Sequence, residues 1–431
     1  MNPISANPVY VVDGLRTPFL KARGRPGPFS ASDLAVWAGR NLLMRQPLAP
    51  KDLDEVIMGC IMPSENEANI GRIIGLRLGC GDRTPGWTVQ RNCGSGMQAI
   101  DSAFQEVVLG RADLVLAGGT EAMSRAPLIV NEKMTQWLAN WKAAKAWEKK
   151  LSLFSQLRPS LLSPIVALLR GLTDPLFELS MGQTAEILAQ QWDITREAMD
   201  AFSLRSHKRL VQAQDAGYFT EEVVTIYDAQ GTSYCQDEGV RRDTSLSALA
   251  GLKPFFDRPF GLVTAGNSSQ VTDGAAVLIL ASEKAVKQYQ LSVLGRIVDV
   301  QWAALSPTIM GLGPVFATTP LLKRHQLRLS DIDYWEINEA FAATVIACLR
   351  AWANDAFCRD QLGLTEALGV LDETRLNVDG GAIAMGHPVG ASGARIVLHL
   401  LEVLRRHQSK RGVATICIGG GQGGAMLLER L

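Results

Sequence analysis

The chain has 431 residues, of which 47% are hydrophobic and 20% are charged. This composition is typical of a globular protein with a sizeable core, and the length allows two or three domains. The formal net charge is zero, so the chain as a whole gives no electrostatic reason to expect a nucleic-acid partner.

The seven cysteines are odd in number and are scattered along the chain without a CxxC pair. This pattern argues against a disulfide framework or a zinc site, and it favours a reducing compartment. The N-terminus, Met1 to Ser5, lacks a charged start followed by an apolar core, so no signal peptide is predicted. No apolar run approaches the roughly 20 residues of a membrane-spanning helix. We therefore expect a cytoplasmic protein.

The first 120 residues alternate between strand and helix patterns. The predicted strands are Val9 to Val12, Leu53 to Gly59, Trp87 to Val89 and Asp113 to Gly119, and the predicted helices are Ser32 to Leu43, Ile70 to Leu78 and the amphipathic run that follows Gly96. This alternation predicts an α/β layer fold with parallel strand pairing.

Cys93 lies at the predicted turn between a strand and a helix. The free N–H groups and the dipole of a helix N-terminus favour a thiolate, which is the reactive form of cysteine. A lone cysteine is nevertheless more often a small hydrophobic core residue. Position alone therefore leaves both interpretations of Cys93 open.

A region of different character runs from Thr120 to Phe256. Its apolar residues fall at helical spacing beside several lysines, and the main ones are Trp137, Trp141, Ala144, Trp147, Leu151 and Phe154. We predict one basic amphipathic helix here, followed after Pro164 by a second apolar segment. Either the helix packs its stripe on its own domain, or it docks to a membrane surface or a partner protein. Two more helices are predicted, one starting at Ser180 and one over Arg196 to Ala216.

The α/β pattern resumes at Gly261. The predicted strands are Ala275 to Ala281, Ile332 to Ile337, Val413 to Ile418 and Ala425 to Glu429, and the predicted helices are Pro314 to Arg324 and Arg395 to Leu404. Glycine-rich turns and strand ends of this half repeat those of the first half at a near-constant offset of about 300 residues, which indicates an internal duplication. If the halves pack as a pseudo-symmetric pair, Cys93, His387 and Cys417 meet.

These residue types could perform acyl-transfer chemistry together. Cys93 and His387 form a nucleophile–base pair, and Cys417 is a second thiol that can carry a proton. The turn from Gly419 offers bare backbone N–H groups that suit an oxyanion hole, and Asn338 ends a strand where it could hold a water or a carbonyl oxygen. Taken alone, His387 is more often structural and Cys417 is more often a core residue.

Short motifs along the whole chain resemble those of the thiolase family. They are Arg16-Thr17-Pro18, Asn92 to Gly96, Gly118 to Met123, Met181 to Glu186, Thr264 to Ser269 with Asp273-Gly274, Asn338 to Phe341, Gly386 to Pro388 with Gly390 and Ser392-Gly393, and Cys417 with Gly419 to Gly421. Their order on these elements makes the set very specific.

The resemblance implies a five-layered α/β/α/β/α thiolase fold from two duplicated halves. The N-terminal half would comprise residues 1–120 and 257–283, and the C-terminal half residues 284–431. Between them, residues 121–256 would form an inserted loop domain, with an amphipathic segment over 137–174.

The resemblance also implies the roles of the catalytic residues. Cys93 would carry the acyl group, His387 would activate its thiol, and Cys417 would exchange a proton with the acetyl-CoA methyl carbon. One oxyanion hole would combine His387 Nε2 with a water held by Asn338. The other would consist of the backbone N–H groups of Cys93 and Gly419.

For the substrate, the resemblance places Ser269 and Ala265 near the pantetheine of CoA and Arg241 beside its nucleotide. Phe341 and Met181 fall in motifs that we expect at the substrate site. CoA and acyl-CoA would be substrates, no metal or organic cofactor is needed, and a homodimer or tetramer is expected.

Residues 137–174 resemble the insertion in the β subunit of the trifunctional fatty-acid oxidation complex. That subgroup acts on longer chains, works with a hydratase/dehydrogenase partner and contacts membranes, but it commonly has histidine where this chain has Asn338. Alternatives are a biosynthetic acetoacetyl-CoA thiolase, and a non-catalytic lipid-binding or scaffold relative, which would be expected to lack Cys93 or His387. A ketosynthase is disfavoured because Cys417 stands where those relatives have histidine or asparagine.

Overall fold

The computed structural model describes residues 7–431, so the segment in which no signal peptide was predicted lies outside the described residues. The strands are β1 (Val9–Arg16), β2 (Leu20–Lys21), β3 (Glu55–Gly59), β4 (Gly86–Val89), β5 (Leu114–Ala122), β6 (Leu128–Ile129), β7 (Ile165–Val166), β8 (Ile226–Tyr227), β9 (Ser233–Tyr234), β10 (Thr272–Ser282), β11 (Gly295–Ala304), β12 (Tyr334–Ile337), β13 (Arg411–Ile418) and β14 (Gln422–Glu429).

Helices lie between most of these strands. They are α1 (Ala31–Met44), α2 (Ile70–Leu78), α3 (Ser95–Val108), α4 (Glu132–Ala143), α5 (Trp147–Phe154), α6 (Pro159–Leu162), α7 (Ala167–Gly171), α8 (Met181–Gln191), α9 (Arg196–Asp215), α10 (Leu246–Ala250), α11 (Glu283–Tyr289), α12 (Gly313–Arg324), α13 (Ala342–Trp352), α14 (Asp355–Leu362), α15 (Ala382–Met385) and α16 (Ser392–Arg406). Within residues 7–431, no helix is both long and apolar enough to cross a membrane.

One mixed sheet of ten strands runs through the molecule in the order β12-β13-β14-β11-β1-β10-β5-β3-β4, with β2 beside β10. The pairs β3–β4, β3–β5 and β12–β13 are parallel, as predicted, whereas the pairs in the middle of the sheet are antiparallel. The two halves join where β1 pairs antiparallel with β11 through Val9 to Val11.

Three apolar cores separate the layers. The first lies between α1, α2 and the strands of the first half, and the third lies between α12, α13, α8 and the strands of the second half. The middle core contains α3 and α16, which pack against each other and against strands of both halves. The predicted layered α/β fold is therefore confirmed.

The predicted duplication is visible in the order of the elements. The series β1, α1, β3, α3, β5, β10 recurs in the second half as β11, α12, β12, α16, β13, β14. The paired helices α3 and α16 approach closely because Gly96 has no side chain: a Cβ there would lie 2.8 Å from Gly390 O. Since Cys93 precedes α3 and His387 precedes α16, this packing brings their two turns together.

The insertion departs from the single amphipathic helix that we predicted. The chain breaks at Ala144, which has extended backbone angles, and α4 and α5 form a hairpin instead. The Trp137 and Trp141 rings stack 5.3 Å apart, and Trp137 Nε1 donates to Leu153 O across the hairpin. Neither helix buries a residue: Trp137 and Trp141 pack within the hairpin, and Trp147, Leu151 and Phe154 of the same stripe are exposed.

The sequence analysis missed β11 and α13. Strand β11 is only partly buried along most of its length and carries polar residues such as Asp299 and Gln301. Helix α13 is buried on nearly all sides, so it has no polar face to reveal its helical period. The other strands and helices predicted in the two halves are confirmed to within a few residues.

Candidate active site

Cys93 lies at the bottom of a narrow cleft, in the turn between β4 and α3. Asn92 before it has a φ of 43°, a conformation that asparagine tolerates better than most residues. The free volume of the cleft is about 20 Å³, room for about one water molecule. The other residues that line it are Ile61, Met62, Asn92, Leu168, Gly171, Leu172, Met181, Val389 and Gly419.

The Cys93 thiol is protonated in this resting arrangement. Burial raises the pKa of Cys93 to about 11, although hydrogen bonds from the backbone N–H groups of Gly419 and of Cys93 itself lower it. The backbone N–H groups thus act in the direction that we expected, but desolvation outweighs them. Deprotonation of Cys93 requires a base close to the sulfur.

His387 is a buried, neutral imidazole with a defined orientation. Its Nδ1 lies 2.6 Å from Ser392 Oγ, and the Ser392 hydroxyl donates to Pro388 O at 3.1 Å. The hydroxyl oxygen therefore accepts a hydrogen bond from Nδ1–H. The other ring nitrogen, Nε2, then carries no proton and has a free lone pair. Burial, and then the charge of Arg395, lower the pKa of His387 to about 3, so the imidazole is neutral at pH 7 and its Nε2 is unprotonated.

Asn338 meets His387 at the end of β12. Its backbone N–H donates to Thr415 O at 3.0 Å, and its Nδ2 lies 3.5 Å from His387 Nε2. Asn338 Oδ1 is buried and makes no hydrogen bond within residues 7–431. The pair thus keeps hydrogen-bonding capacity for an oxygen atom bound between the two side chains.

Cys417 and the glycine turn complete the group. Burial and the neighbouring Cys93 raise the pKa of Cys417 to about 12, so this thiol is also protonated. Asn92 Nδ2 donates to Gly419 O at 2.8 Å, which ties the glycine turn to the Cys93 turn. A Cβ on Gly419 would lie 3.0 Å from Met181 Sδ, so glycine permits this contact.

The expected substrate residues divide into two groups. Met181 lines the cleft, and Ser269 and Phe341 lie beside the Asn338 loop, where Ser269 N–H donates to Ala340 O at 2.9 Å. Ala265 is exposed and Arg241 is partly exposed, and neither lines the cleft.

The sequence analysis assigned no role to several residues that shape the site. Ile61, Met62 and Val389 form cleft walls, and Leu168 and Leu172 close it from the insertion. The spacing of the two leucines, four residues apart, could have indicated a shared helix face. Within residues 7–431 no group of three or more His, Cys, Asp and Glu side chains could hold a metal ion.

Comparisons with known proteins agree over the whole chain. The family described as "Thiolase, N-terminal domain" matches residues 9–284, and "Thiolase, C-terminal domain" matches residues 291–430. A 3-ketoacyl-CoA thiolase of Yersinia pestis (strain Pestoides F) is 36% identical over 423 residues, which cover 98% of this chain and 96% of that protein.

Solved structures are also similar to this chain over nearly its whole length. Human mitochondrial 3-ketoacyl-CoA thiolase in complex with CoA has 38% identity and a TM-score of 0.84, covering 99% of this chain and 98% of that one. The Bacillus anthracis acetyl-CoA acetyltransferase has 35% identity and a TM-score of 0.85, covering 100% of both chains.

Proposed function

The chain belongs to the thiolase family, and from this membership we propose that it catalyses CoA-dependent thiolytic cleavage of 3-ketoacyl-CoA, as in fatty-acid β-oxidation. The products are acetyl-CoA and a shortened acyl-CoA. The convergence of Cys93, His387 and Cys417 from opposite halves of the chain carries this proposal, because the reaction needs a nucleophile, a base and a proton donor at one carbon–carbon bond.

The proposed reaction has two stages. First, Cys93 gives its proton to His387 Nε2, and the sulfur attacks the 3-keto carbon. The bond between carbons 2 and 3 breaks, carbon 2 takes the Cys417 proton, and acetyl-CoA leaves. Then a second CoA gives its thiol proton to the Cys417 thiolate and attacks the acyl group on Cys93. The Cys93 sulfur leaves and recovers its proton from His387.

Two sets of donors are proposed to stabilise the oxyanions. His387 Nε2, once protonated, and a water held by Asn338 would bind the oxygen of the first intermediate. The Cys93 and Gly419 N–H groups would bind the thioester oxygen, and their approach to the Cys93 sulfur supports this role. Donors aimed at a developing charge in a dry site are effective because they need no reorganisation.

Thiolases use CoA as a substrate, and a thiolase relative is known in complex with CoA. We propose that Ser269 and Ala265 contact its pantetheine and that Arg241 lies beside its nucleotide. Phe341 and Met181 would contact the thioester end. The chemistry above requires no further organic or metal cofactor.

We also propose residues 121–256 as the inserted loop domain, and its segment 165–172 as the wall that sets acyl chain length. Leu168 and Leu172 face the Cys93 cleft, whereas Leu169 is 63% exposed on the outer side of α7. An acyl chain longer than the small cleft must displace or pass these leucines, so their position would decide which chain lengths the site accepts.

The amphipathic segment 137–174 is proposed as a peripheral membrane contact. Trp147, Leu151 and Phe154 are each at least 60% exposed, and Lys149 and Lys150 are exposed on the same helix. Apolar and basic side chains of this kind suit an anionic lipid surface. The alternative occupant is a hydratase/dehydrogenase partner of β-oxidation.

The cellular compartment and the oligomeric state are also proposed. We propose a cytoplasmic enzyme, since all seven cysteines are free and the reaction needs reduced thiols. A homodimer or tetramer is proposed, and β4, which lies at the edge of the sheet formed by residues 7–431, offers a place for pairing. No role in nucleic-acid binding is proposed.

A biosynthetic acetoacetyl-CoA thiolase is the second candidate, favoured by the likeness to a protein named acetyl-CoA acetyltransferase. Rates of cleavage and of condensation, measured across an acyl-chain series, separate the two. A non-catalytic scaffold is disfavoured because Cys93 and His387 are both present.

The test is CoA-dependent cleavage of 3-ketoacyl-CoA substrates from four to sixteen carbons by the purified full chain. We expect Cys93→Ala to abolish turnover, and mass spectrometry of the wild type to detect the acyl group on the Cys93 peptide. Cys80→Ala is the matched control, since Cys80 is also a buried thiol with its pKa raised to about 11 but lies outside the cleft. Turnover in Cys93→Ala would overturn the assignment.

A further inference from the structure

Glu121 is a buried carboxylate directly behind the catalytic cleft. It lies near the end of β5 and is fully buried. Its two oxygens accept hydrogen bonds from Ile61 N–H at 2.9 Å and from Met62 N–H at 3.0 Å. The Cys60 thiol donates to Oε1 at 3.6 Å. Gly390 packs against Oε2, which a Cβ on that glycine would approach to 2.7 Å, and its N–H lowers the pKa of Glu121.

Only a carboxylate matches these N–H and S–H donors. An ionised carboxylate is acceptor-only, with about four lone-pair sites on two oxygens. An amide at the same place would turn its NH₂ group toward at least one of the backbone N–H groups, because both oxygens of Glu121 accept such a bond. Each of these donors is uncharged, so backbone dipoles and a thiol alone hold the negative charge.

Glu121 contacts two loops that both line the Cys93 cleft: it accepts hydrogen bonds from one and packs against Gly390 of the other. Ile61 and Met62 form one wall of the cleft, and Val389, the neighbour of Gly390, forms another. The second loop also carries His387, three residues before Gly390. The distance between these loops therefore depends on one side chain that touches neither the sulfur nor the imidazole.

We propose that Glu121 is a positioning residue for the thiolase reaction, which clamps the loops 60–62 and 387–390 at the spacing that the acyl group on Cys93 requires. This inference rests on the proposed function. The clamp acts through the negative charge of Glu121, and protonation of that side chain replaces an acceptor with an O–H donor and loosens one loop.

The groups facing Glu121 do not titrate near neutrality. Burial raises the pKa of Cys60 well above its usual range and that of Cys93 to about 11. Burial also acts to raise the pKa of Glu67, behind Cys60, but hydrogen bonds from Ser32 and Ser64 outweigh it and keep that pKa below its usual value. The pKa of His387 is lowered to about 3. Burial raises the pKa of Glu121 itself to about 7, so its clamp opens as the pH falls through that value.

The experiment compares Glu121→Gln with the wild type and with Glu67→Gln. Glu67 is a matched control, because it is also buried and accepts the Ser32 N–H at 2.9 Å, but its partners Ser32 and Ser64 do not line the cleft, whereas Ile61 and Met62 do. We expect Glu121→Gln to lower kcat by about 10- to 100-fold, as a displaced reacting group does, with KM for CoA changed less than 3-fold. Glu67→Gln should keep kcat within 2-fold.

The pH profile of kcat and amide hydrogen exchange are measurements that a merely structural role of Glu121 would leave unchanged. Wild-type kcat should fall below about pH 7, and Glu121→Gln, which mimics the protonated side chain, should lack that acid limb. Hydrogen exchange at the amides of residues 61, 62 and 390 should accelerate in Glu121→Gln only. An unchanged acid limb, or unchanged exchange, would overturn the clamp.

The outcomes also distinguish this inference from the proposed function. If the wild type cleaves no 3-ketoacyl-CoA, the proposed function fails, while the exchange comparison still tests the clamp. If Glu121→Gln does not fold, Glu121→Asp replaces it: the shorter side chain keeps the charge but cannot reach both loops, so faster exchange in one loop is expected and equal protection of both would overturn the clamp.

Discussion

A buried ion cluster beneath the active site gives the sharpest prediction about stability. His399 on α16 is fully buried, with Nδ1 2.8 Å from Glu222 Oε2 and Nε2 3.3 Å from Asp379 Oδ2. Arg16 holds the other Glu222 oxygen at 2.8 Å, and the His399 ring stacks on Phe219 at 5.3 Å. The cluster links β1, α16 and the inserted region through buried charges.

The perturbation is His399→Gln, which removes the positive charge and leaves both carboxylates short of a partner. The charges of Glu222 and Asp379 raise the pKa of His399 from 6.5 to about 10, although burial opposes them. At 1.36 kcal/mol per pKa unit this corresponds to roughly 5 kcal/mol at most. Breaking a buried pair typically costs about 3 to 5 kcal/mol, so we expect a loss in unfolding free energy of that size at pH 7.

The sign of the pH dependence follows from the raised pKa. Because His399 binds its proton more tightly in the folded state, its contribution is complete below pH 6.5 and is lost as the pH rises through about 10. The wild type should therefore lose unfolding free energy between pH 7 and pH 10. The His399→Gln curve should be flatter over the same range.

Urea unfolding at pH 6, 8 and 10, at a fixed protein concentration, measures these differences. The matched control is His407→Gln, because His407 is exposed just after the same helix and should change the unfolding free energy by less than about 0.5 kcal/mol. A loss below about 1 kcal/mol in His399→Gln at every pH would refute the charged-imidazole account.

Three further changes test the proposed catalytic and surface roles. Asn338→Ala should lower kcat about 100-fold, as removal of one oxyanion donor does, with Cys93 still alkylated by iodoacetamide; unchanged kcat would exclude a role in the oxyanion hole. Leu172→Trp should lower kcat/KM for a sixteen-carbon substrate by about 10-fold while acetoacetyl-CoA turnover changes less than 3-fold, and an equal effect on both would remove the insertion from chain-length selection. The Lys149→Glu/Lys150→Glu double variant should weaken binding to phosphatidylserine vesicles by at least about 30-fold, at roughly 1 kcal/mol for each lost positive charge; equal binding of the wild type to neutral vesicles, or retained binding by the variant, would contradict a lipid contact.

Local patterns were sufficient to predict most elements of the two halves. Apolar residues at helical spacing predicted α1, α3 and α16, and short apolar runs predicted β5, β10 and β13. The same reasoning failed for α13, whose burial on nearly all sides hides its period, and for β11, whose partly buried polar positions lack a clear strand signal. It also failed at Ala144, where no helix-breaking residue indicates the end of α4 before α5 begins.

The candidate site was predictable as a set of residues but not as an environment. The duplicated pattern and the short motifs identified Cys93, His387 and Cys417 as neighbours although they lie up to 324 residues apart. Sequence could not reveal that burial would protonate Cys93 against the helix dipole, because desolvation depends on every atom packed around the sulfur.

The sequence by itself determined the family, the chemical types at the site and the alternation of elements, since each of these is written in local order and spacing. Only the tertiary structure decided that Leu168 and Leu172 close the cleft, that Ser392 orients His387, and that α4 and α5 expose their apolar side chains. The closed cleft joins segments that are distant along the chain, and all three features arise from packing and burial that the order of residues does not contain.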